Sequence, residues 1–130
     1  MSRTPSLVDT WTIGPDGALW NAGWWDESFH AGYCVPTSAP GSFRPGAPVA
    51  AVARTSGTVD IWTVGADGAV WNAGWWDGSF HPGYRVPTSA PGSLPAQGGI
   101  AAVSRDVHSL DTWVTRADGN AANGGYWYSW

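Results

Sequence analysis

Charge is scarce in this sequence. Asp, Glu, Lys and Arg make up 12% of its 130 residues, and the formal net charge is −4. A globular domain carries about twice that share of charge. With so little positive charge the chain cannot displace the counterions of DNA or RNA, which excludes nonspecific nucleic-acid binding. Only one glutamate is present, Glu27. Glycoside hydrolysis needs two carboxylates in unlike environments, one protonated and one ionised. The aspartates recur at equivalent places in a repeat, which makes copies of one environment, and no G-x-S-x-G nucleophile motif occurs. The reading is therefore not an enzyme. A single cysteine, Cys34, excludes an internal disulfide. Cys34 aligns with Arg85 in the next repeat, which predicts a solvent-accessible thiol. No apolar run approaches the roughly 20 residues of a membrane-spanning helix. The opening MSRTPS does not lead into the apolar core of a secretory signal. A soluble protein, cytoplasmic or released non-classically, is the expectation, with no membrane span. No Cys, His or carboxylate cluster stands at ligand spacing around His30 or His81, so neither metal nor other cofactor is expected.

What the chain has instead is tryptophan, 11 of them, and Gly plus Pro at 28 of 130 residues (18 and 10). The heptapeptide WNAGWWD occupies positions 20–26 and again 71–77, an offset of 71 − 20 = 51. The same offset carries Trp11 to Trp62 to Trp113, and Asp16-Gly17 to Asp67-Gly68 to Asp118-Gly119. Aligning 9–43 with 60–94 leaves eight differing positions out of 35. A fixed period of this size marks a repeat architecture. The third copy keeps Trp113 and its Asp-Gly pair and is looser beyond them.

In the complete middle repeat, 48–54 (PVAAVAR) is short, apolar and small, which suits an inner strand. TVDIWTVG at 58–65 is rich in β-branched and aromatic residues, the composition of a strand. It places Val59, Ile61 and Thr63 on one face and Asp60, Trp62 and Val64 on the other. Bulk on both faces predicts burial on both. Asp67-Gly68 predicts a tight type I′ hairpin, 69–76 a third strand, Asp77-Gly78-Ser79 a turn, and 84–87 a short outer strand with Pro87 at the sheet edge. Positions 88–99 read as a loop. Four strands per 51 residues is the profile of a β-propeller blade. A two-sheet sandwich is the alternative, but near-identical repeats favour radial or linear arrays.

The stretch VDIWTVGADGAVWNAGWWDGSFHPGY resembles the blade motif of the propeller lectins related to the Photorhabdus and Psathyrella velutina lectins. Its parts are a hydrophobic strand, a G-x-D-G turn, an aromatic strand ending in Trp-Trp, a short turn with Asp, and a further aromatic. The first repeat matches with Glu27 in place of the Gly; the third matches at Asp118-Gly119 and Tyr126-Trp127, with Ala122 where Trp20 and Trp71 stand. The resemblance implies an all-β propeller that binds sugars, often fucosylated or methylated, in shallow pockets between blades. The family usually has Trp where this chain has Tyr33 and Tyr84, which leaves the sugar open.

Read this way, the chain supplies about two and a half blades: 1–43 without an inner strand, 44–94 complete, and 95–130 without an outer strand, with Trp130 near the end of a third strand. A propeller has four to eight blades. Identical chains joined head to tail would close the ring, with a dimer favoured and a trimer the alternative. Trp11, Trp62 and Trp113 are assigned to packing between blades, as are Trp20 and Trp71. The candidate ligand-binding residues are Trp24, Trp25, Trp75 and Trp76, one ring of each pair facing a pocket, with Asn21, Asn72, His30, His81, Tyr33 and Tyr84 as polar neighbours. Their partners would be glycans carrying fucosylated, methylated or amino sugars. Asp9, Asp60 and Asp111 recur mid-strand, where each carboxylate needs donors; a backbone or loop amide is the expected partner. A self-assembling scaffold with no ligand is the competing reading.

Overall fold

The computed structural model describes residues 1–95 and 97–127, with the side chains of Tyr126 and Trp127 outside that description. The reading of Trp130 as the end of a strand falls outside the described residues. Among the described residues there is no α-helix, hence none that could cross a membrane.

Three antiparallel sheets follow one another along the chain. Blade 1 is β1 (Ser2–Thr4), β2 (Leu7–Ile13), β3 (Leu19–Trp25) and β4 (Ser28–Cys34), in that spatial order. Blade 2 repeats it as β5 (Val49–Thr55), β6 (Thr58–Val64), β7 (Val70–Trp76) and β8 (Ser79–Arg85). Blade 3 has β9 (Ile100–Asp106), β10 (Ser109–Thr115) and β11 (Ala121–Trp127). The inner strand of blade 1 is the three-residue β1. The inner strands stand beside one another, β1 against β5 and β5 against β9, so the meanders run outward from a common centre.

Two differences from the sequence reading have clear causes. The outer strand of blade 2 is Ser79–Arg85, not 84–87. It starts directly after the two-residue turn, and Pro87 lies beyond its end, where no ladder hydrogen bond is demanded of it. The type I′ turns are also elsewhere. At 65–69 Gly68 alone has positive φ (75°); Gly68 N donates to Gly65 O at 2.9 Å and Gly65 N to Ala69 O at 2.9 Å. That is a type I turn closed by a left-handed glycine. The type I′ hairpins join β3 to β4 and β7 to β8, through Asp26 (φ 50°) and Glu27 (φ 60°) and through Asp77 (52°) and Gly78 (71°).

The G-x-D-G motif earns its place through side-chain and loop bonds. Asp67 Oδ1 accepts from Ala69 N at 3.1 Å and from the Trp71 indole N–H at 2.9 Å. The Trp71 ring lies so close over Gly65 that a Cβ there would stand 2.2 Å from Nε1. The Pro/Ser loop after the outer strand then returns across this turn. Val70 N donates to Ser89 Oγ at 2.8 Å, Gly92 N to Asp67 O at 2.8 Å and Leu94 N to Gly68 O at 3.1 Å. Blade 1 repeats the set, with Leu19 N to Ser38 Oγ at 2.8 Å and Gly41 N to Asp16 O at 2.8 Å.

The core lies between blades. β6 is buried along nearly its whole length, on both faces as the sequence predicted. Val59, Ile61, Trp62 and Val64 join Ile13, Leu19, Val35, Phe43, Leu94 and Leu110 in one cluster. Phe43, from the loop that leads into blade 2, lies edge-on to Trp71 at 6.2 Å. Cys34 is half-buried, its Sγ 3.6 Å from Ser38 O, so it is less open than its alignment with Arg85 suggested.

Two substitutions test this account by denaturant midpoint. A Cβ on Gly74 would stand 2.4 Å from Val59 O, a backbone atom that cannot move aside. Gly74→Ala is expected to lose about 3 kcal/mol, the upper end for overpacking. Glu27→Gly should gain about 1 kcal/mol, because it relieves a left-handed non-glycine residue and thereby copies blade 2.

Candidate functional site

A bulge in the outer strand determines which residues share a face. In blade 1, Asn21 pairs with Tyr33 and Gly23 with His30, so Ala31 and Gly32 together oppose Ala22. Blade 2 repeats this with Asn72–Tyr84 and Gly74–His81. His30 and Tyr33 are three residues apart and would point to opposite faces of a regular strand. The extra residue puts both on the face that carries Asp9, Trp11, Asn21 and Trp25.

That face of blade 1 meets blade 2 across a pocket of about 300 Å³. Blade 1 contributes Arg3, Leu7, Asp9, Trp11, Asn21, Trp25, Asp26 and Tyr33, and blade 2 contributes Val59, Trp75 and Phe80. Trp25 and Asp26 stand at the rim, next to the type I′ turn. Asp9 and Asn21 are buried at the floor. Phe80 is edge-on to Trp75 at 4.8 Å and to Trp11 at 5.9 Å, which ties the two walls together.

The floor is an ion pair. Arg3 Nε donates to Asp9 Oδ2 at 2.8 Å, and the other blades copy it as Arg54–Asp60 at 2.7 Å and Arg105–Asp111 at 2.6 Å. The expected amide partner of these aspartates is thus corrected to an arginine. An inward-facing carboxylate at a blade junction needs a full countercharge. The signal was in the sequence, as an Arg six residues before each Asp, repeated at 51-residue intervals. Arg54 also bonds Val107 O of blade 3 at 3.3 Å, reaching across the second junction. Burial pushes the Asp60 carboxyl above its usual range, with the bond and charge of Arg54 opposing. Burial and the nearby Asp9 charge raise the Tyr33 phenol, with Arg3 opposing.

Of the candidate residues, the pocket gathers Asn21, Trp25, Tyr33 and Trp75. Trp24 points to the opposite face of blade 1 and is 46% exposed. Asn21 Nδ2 donates to Thr10 O at 3.2 Å and Asn72 Nδ2 to Ile61 O at 3.3 Å, so both amides brace the sheet. His30 and His81 lie flat on Trp25 and Trp76, with ring centroids 4.0 Å apart in each pair. Trp76 and Tyr84 occupy the equivalent places on the face of blade 2 that turns toward blade 3. Trp11 and Trp62 pack between blades as assigned. Their indole N–H groups are buried with no acceptor among the described residues. Arg3, Asp9, Trp11 and Phe80 were not among the candidates, because only the junction brings them together.

A wider hollow of about 440 Å³ opens on the other face of blade 1, lined by Thr10, Thr12, Pro15, Trp20 and Ala22. It holds no charged group. On blade 2 the equivalent space is filled by Phe43, whose Cζ lies 3.0 Å from where a Gly83 Cβ would stand. Among the described residues no group of three or more His, Cys, Asp or Glu side chains is placed to hold a metal ion.

The blades, their radial meander and their junctions match known structures along almost the whole chain. The fold is that of a β-propeller. The BP39L lectin from Burkholderia pseudomallei superposes with TM-score 0.79 at 24% identity, over 99% of this chain and 37% of that one. AofleA from Arthrobotrys oligospora, in a triple-mutant form, gives 0.77 at 17% identity over 98% and 37%. A fucose lectin from Kordia zhangzhouensis, solved with methyl-fucoside, gives 0.66 at 12% over 99% and 91%. The chain therefore spans a little over a third of the first two and nearly the full length of the third. No protein-family model and no curated protein matches the sequence.

Removing the arginine of a buried pair leaves its carboxylate uncompensated. Arg54→Ala should cost about 3 kcal/mol at neutral pH. The loss should shrink in acid, where Asp60 takes a proton. In the parent, the raised Asp60 carboxyl contributes stability that is full below its unfolded value and lost as pH rises through its folded value. Urea unfolding of both proteins across the acidic range measures this.

Proposed function

We propose that this chain is a non-catalytic carbohydrate-binding protein, a lectin, with its site between adjacent blades. The observation that carries the reading is the composition of the junction pocket. Trp11, Trp25, Trp75 and Phe80 form aromatic walls, while Arg3, Asp9, Asn21, Asp26 and Tyr33 supply polar groups. A sugar has an apolar C–H face and a ring of hydroxyls, and such a pocket answers both at once. Its volume of about 300 Å³ is at the small end for ligand sites, which suits a terminal monosaccharide. Trp25 and Trp75 are the ring-stacking residues of this proposal. Asn21 and Tyr33 are their polar neighbours, and Trp76, Asn72 and Tyr84 repeat the set on blade 2. Fucosylated sugars are the first class to test, since a fucose lectin shares the fold over 99% of the chain; methylated and amino sugars are the next.

Self-association belongs to the same proposal. The face of blade 1 carrying Val8, Trp24 and Phe29 corresponds residue for residue to the face of blade 2 that closes the pocket through Val59, Trp75 and Phe80. Val59 is buried, whereas Val8 is 41% and Phe29 67% exposed. At the other end, Asp111 and Trp113 repeat Asp9 and Trp11, and Trp113 is 40% exposed although Trp62 is buried. Each open face is the partner of the other. The occupant that fits is blade 1 of a second copy, docked on blade 3 in the register of the internal junction. Such a heterologous contact repeats until the ring closes, and several weak sites on one rigid body raise avidity by about 10²–10⁴.

A glycan array with free-sugar competition, together with light scattering on the same sample, tests both parts. Saturable binding that methyl α-L-fucoside competes away is expected, as is a mass of two or three chains. Trp75→Ala should weaken binding about tenfold or more, equivalent to ~1.4 kcal/mol. Phe29→Asp should give single chains. No competition by fucose, its methylated forms or amino sugars would leave the scaffold reading in place.

A further inference from the structure

We propose that His30 and His81 are positioning residues of the candidate sites. Each imidazole clamps the rim tryptophan, Trp25 or Trp76, in one orientation and thereby fixes which part of the indole a ligand meets. The inference rests on the carbohydrate-binding reading above.

The same arrangement occurs in both complete blades. His30 is 4.0 Å from Trp25 with 4° between ring planes; His81 is 4.0 Å from Trp76 with 7°. His30 Nε2 is 3.2 Å from Trp25 O and 3.1 Å from Ser28 Oγ, and His81 Nε2 is 3.1 Å from Trp76 O and 3.4 Å from Ser79 Oγ. A carbonyl oxygen only accepts, so Nε2 carries the hydrogen in both residues. The imidazole is thus pinned to the backbone of the very tryptophan whose ring it covers.

The other half of the clamp is a missing side chain. Gly23 and Gly74 stand directly across the ladder from the two histidines. A Cβ on Gly23 would lie 3.0 Å from Trp25 Cζ3, and one on Gly74 2.6 Å from Trp76 Cζ3. The indole therefore lies back over a glycine with an imidazole stacked flat on it. One indole face is spent on the histidine, so the pocket receives what the stack leaves open. An unclamped rim tryptophan would have to lose rotamer freedom on binding, an effect of about three- to tenfold on affinity.

A histidine that only tightened the turn would change stability without changing ligand affinity, and the test separates the two. His30→Ala/His81→Ala is compared with the parent by near-UV circular dichroism of the tryptophan bands, by thermal unfolding, and by fluorescence titration with methyl α-L-fucoside. Two conservative pairs accompany it. His→Phe keeps a flat ring and loses the bond to the carbonyl; His→Gln keeps a donor and loses the ring. The alanine variant should bind three- to tenfold more weakly with diminished tryptophan bands, and His→Phe should recover more of both than His→Gln. Should the double alanine variant fail to fold, His30→Phe and His30→Gln carry the comparison between ring and donor. Unchanged affinity and unchanged bands in the alanine variant would overturn the positioning role while leaving the lectin reading intact. A parent that binds neither the fucoside nor any array glycan overturns the lectin reading, and the positioning role falls with it.

Discussion

Phe80 meets the edge of Trp11 at 5.9 Å, and through it blade 2 leans on blade 1. A four-stranded blade cannot bury its own faces. Each face is completed only by a neighbour, and this chain meets that constraint with one aromatic contact surrounded by Val59, Trp75 and Leu7. The pocket is a consequence of the same contact. Sheets radiating from adjacent inner strands diverge toward their outer strands, and the rings that hold them together line the wedge that remains. Packing and candidate site are thus two parts of one junction.

The buried carboxylate in that junction, Asp9, has its countercharge in Arg3. The Arg–Asp pair recurs in all three blades with N–O distances of 2.6–2.8 Å. A buried ion pair is weak evidence for stability, since its desolvation offsets its attraction. At the junction of blades 1 and 2 it sets a fixed guanidinium and carboxylate behind the aromatic rings. At Asp60 burial outweighs the arginine, and the carboxyl is raised.

The two terminal blades expose what the middle blade covers. Phe29, Trp24 and Val8 lie open on one side, and Trp113 on the other, an apolar surface that a lone soluble particle seldom leaves bare. Because the repeats are nearly identical between 9–43 and 60–94, the proposed contact between copies takes the internal junction as its template. The same near-identity explains why the histidine–tryptophan stack appears twice with almost the same geometry.

The sequence by itself determined the period, the blades and most strand positions. Those follow from local chemistry: β-branched and aromatic runs, glycines at turns, and a spacing of 51 that no helical repeat matches. It also named Trp25, Trp75, Asn21 and Tyr33 as candidates, and these line one pocket at the junction. It misplaced the outer strand, because the type I′ turn at Asp77-Gly78 is short enough for pairing to resume at Ser79. It did not join Arg3 to Asp9 or Trp11 to Phe80, because those contacts depend on register and on the junction between sheets. The decisive feature was the bulge opposite Ala22 and Ala73. One extra residue reverses the side on which every later side chain of the strand lies, so whether His30 and Tyr33 share a face was settled only when the outer strand paired.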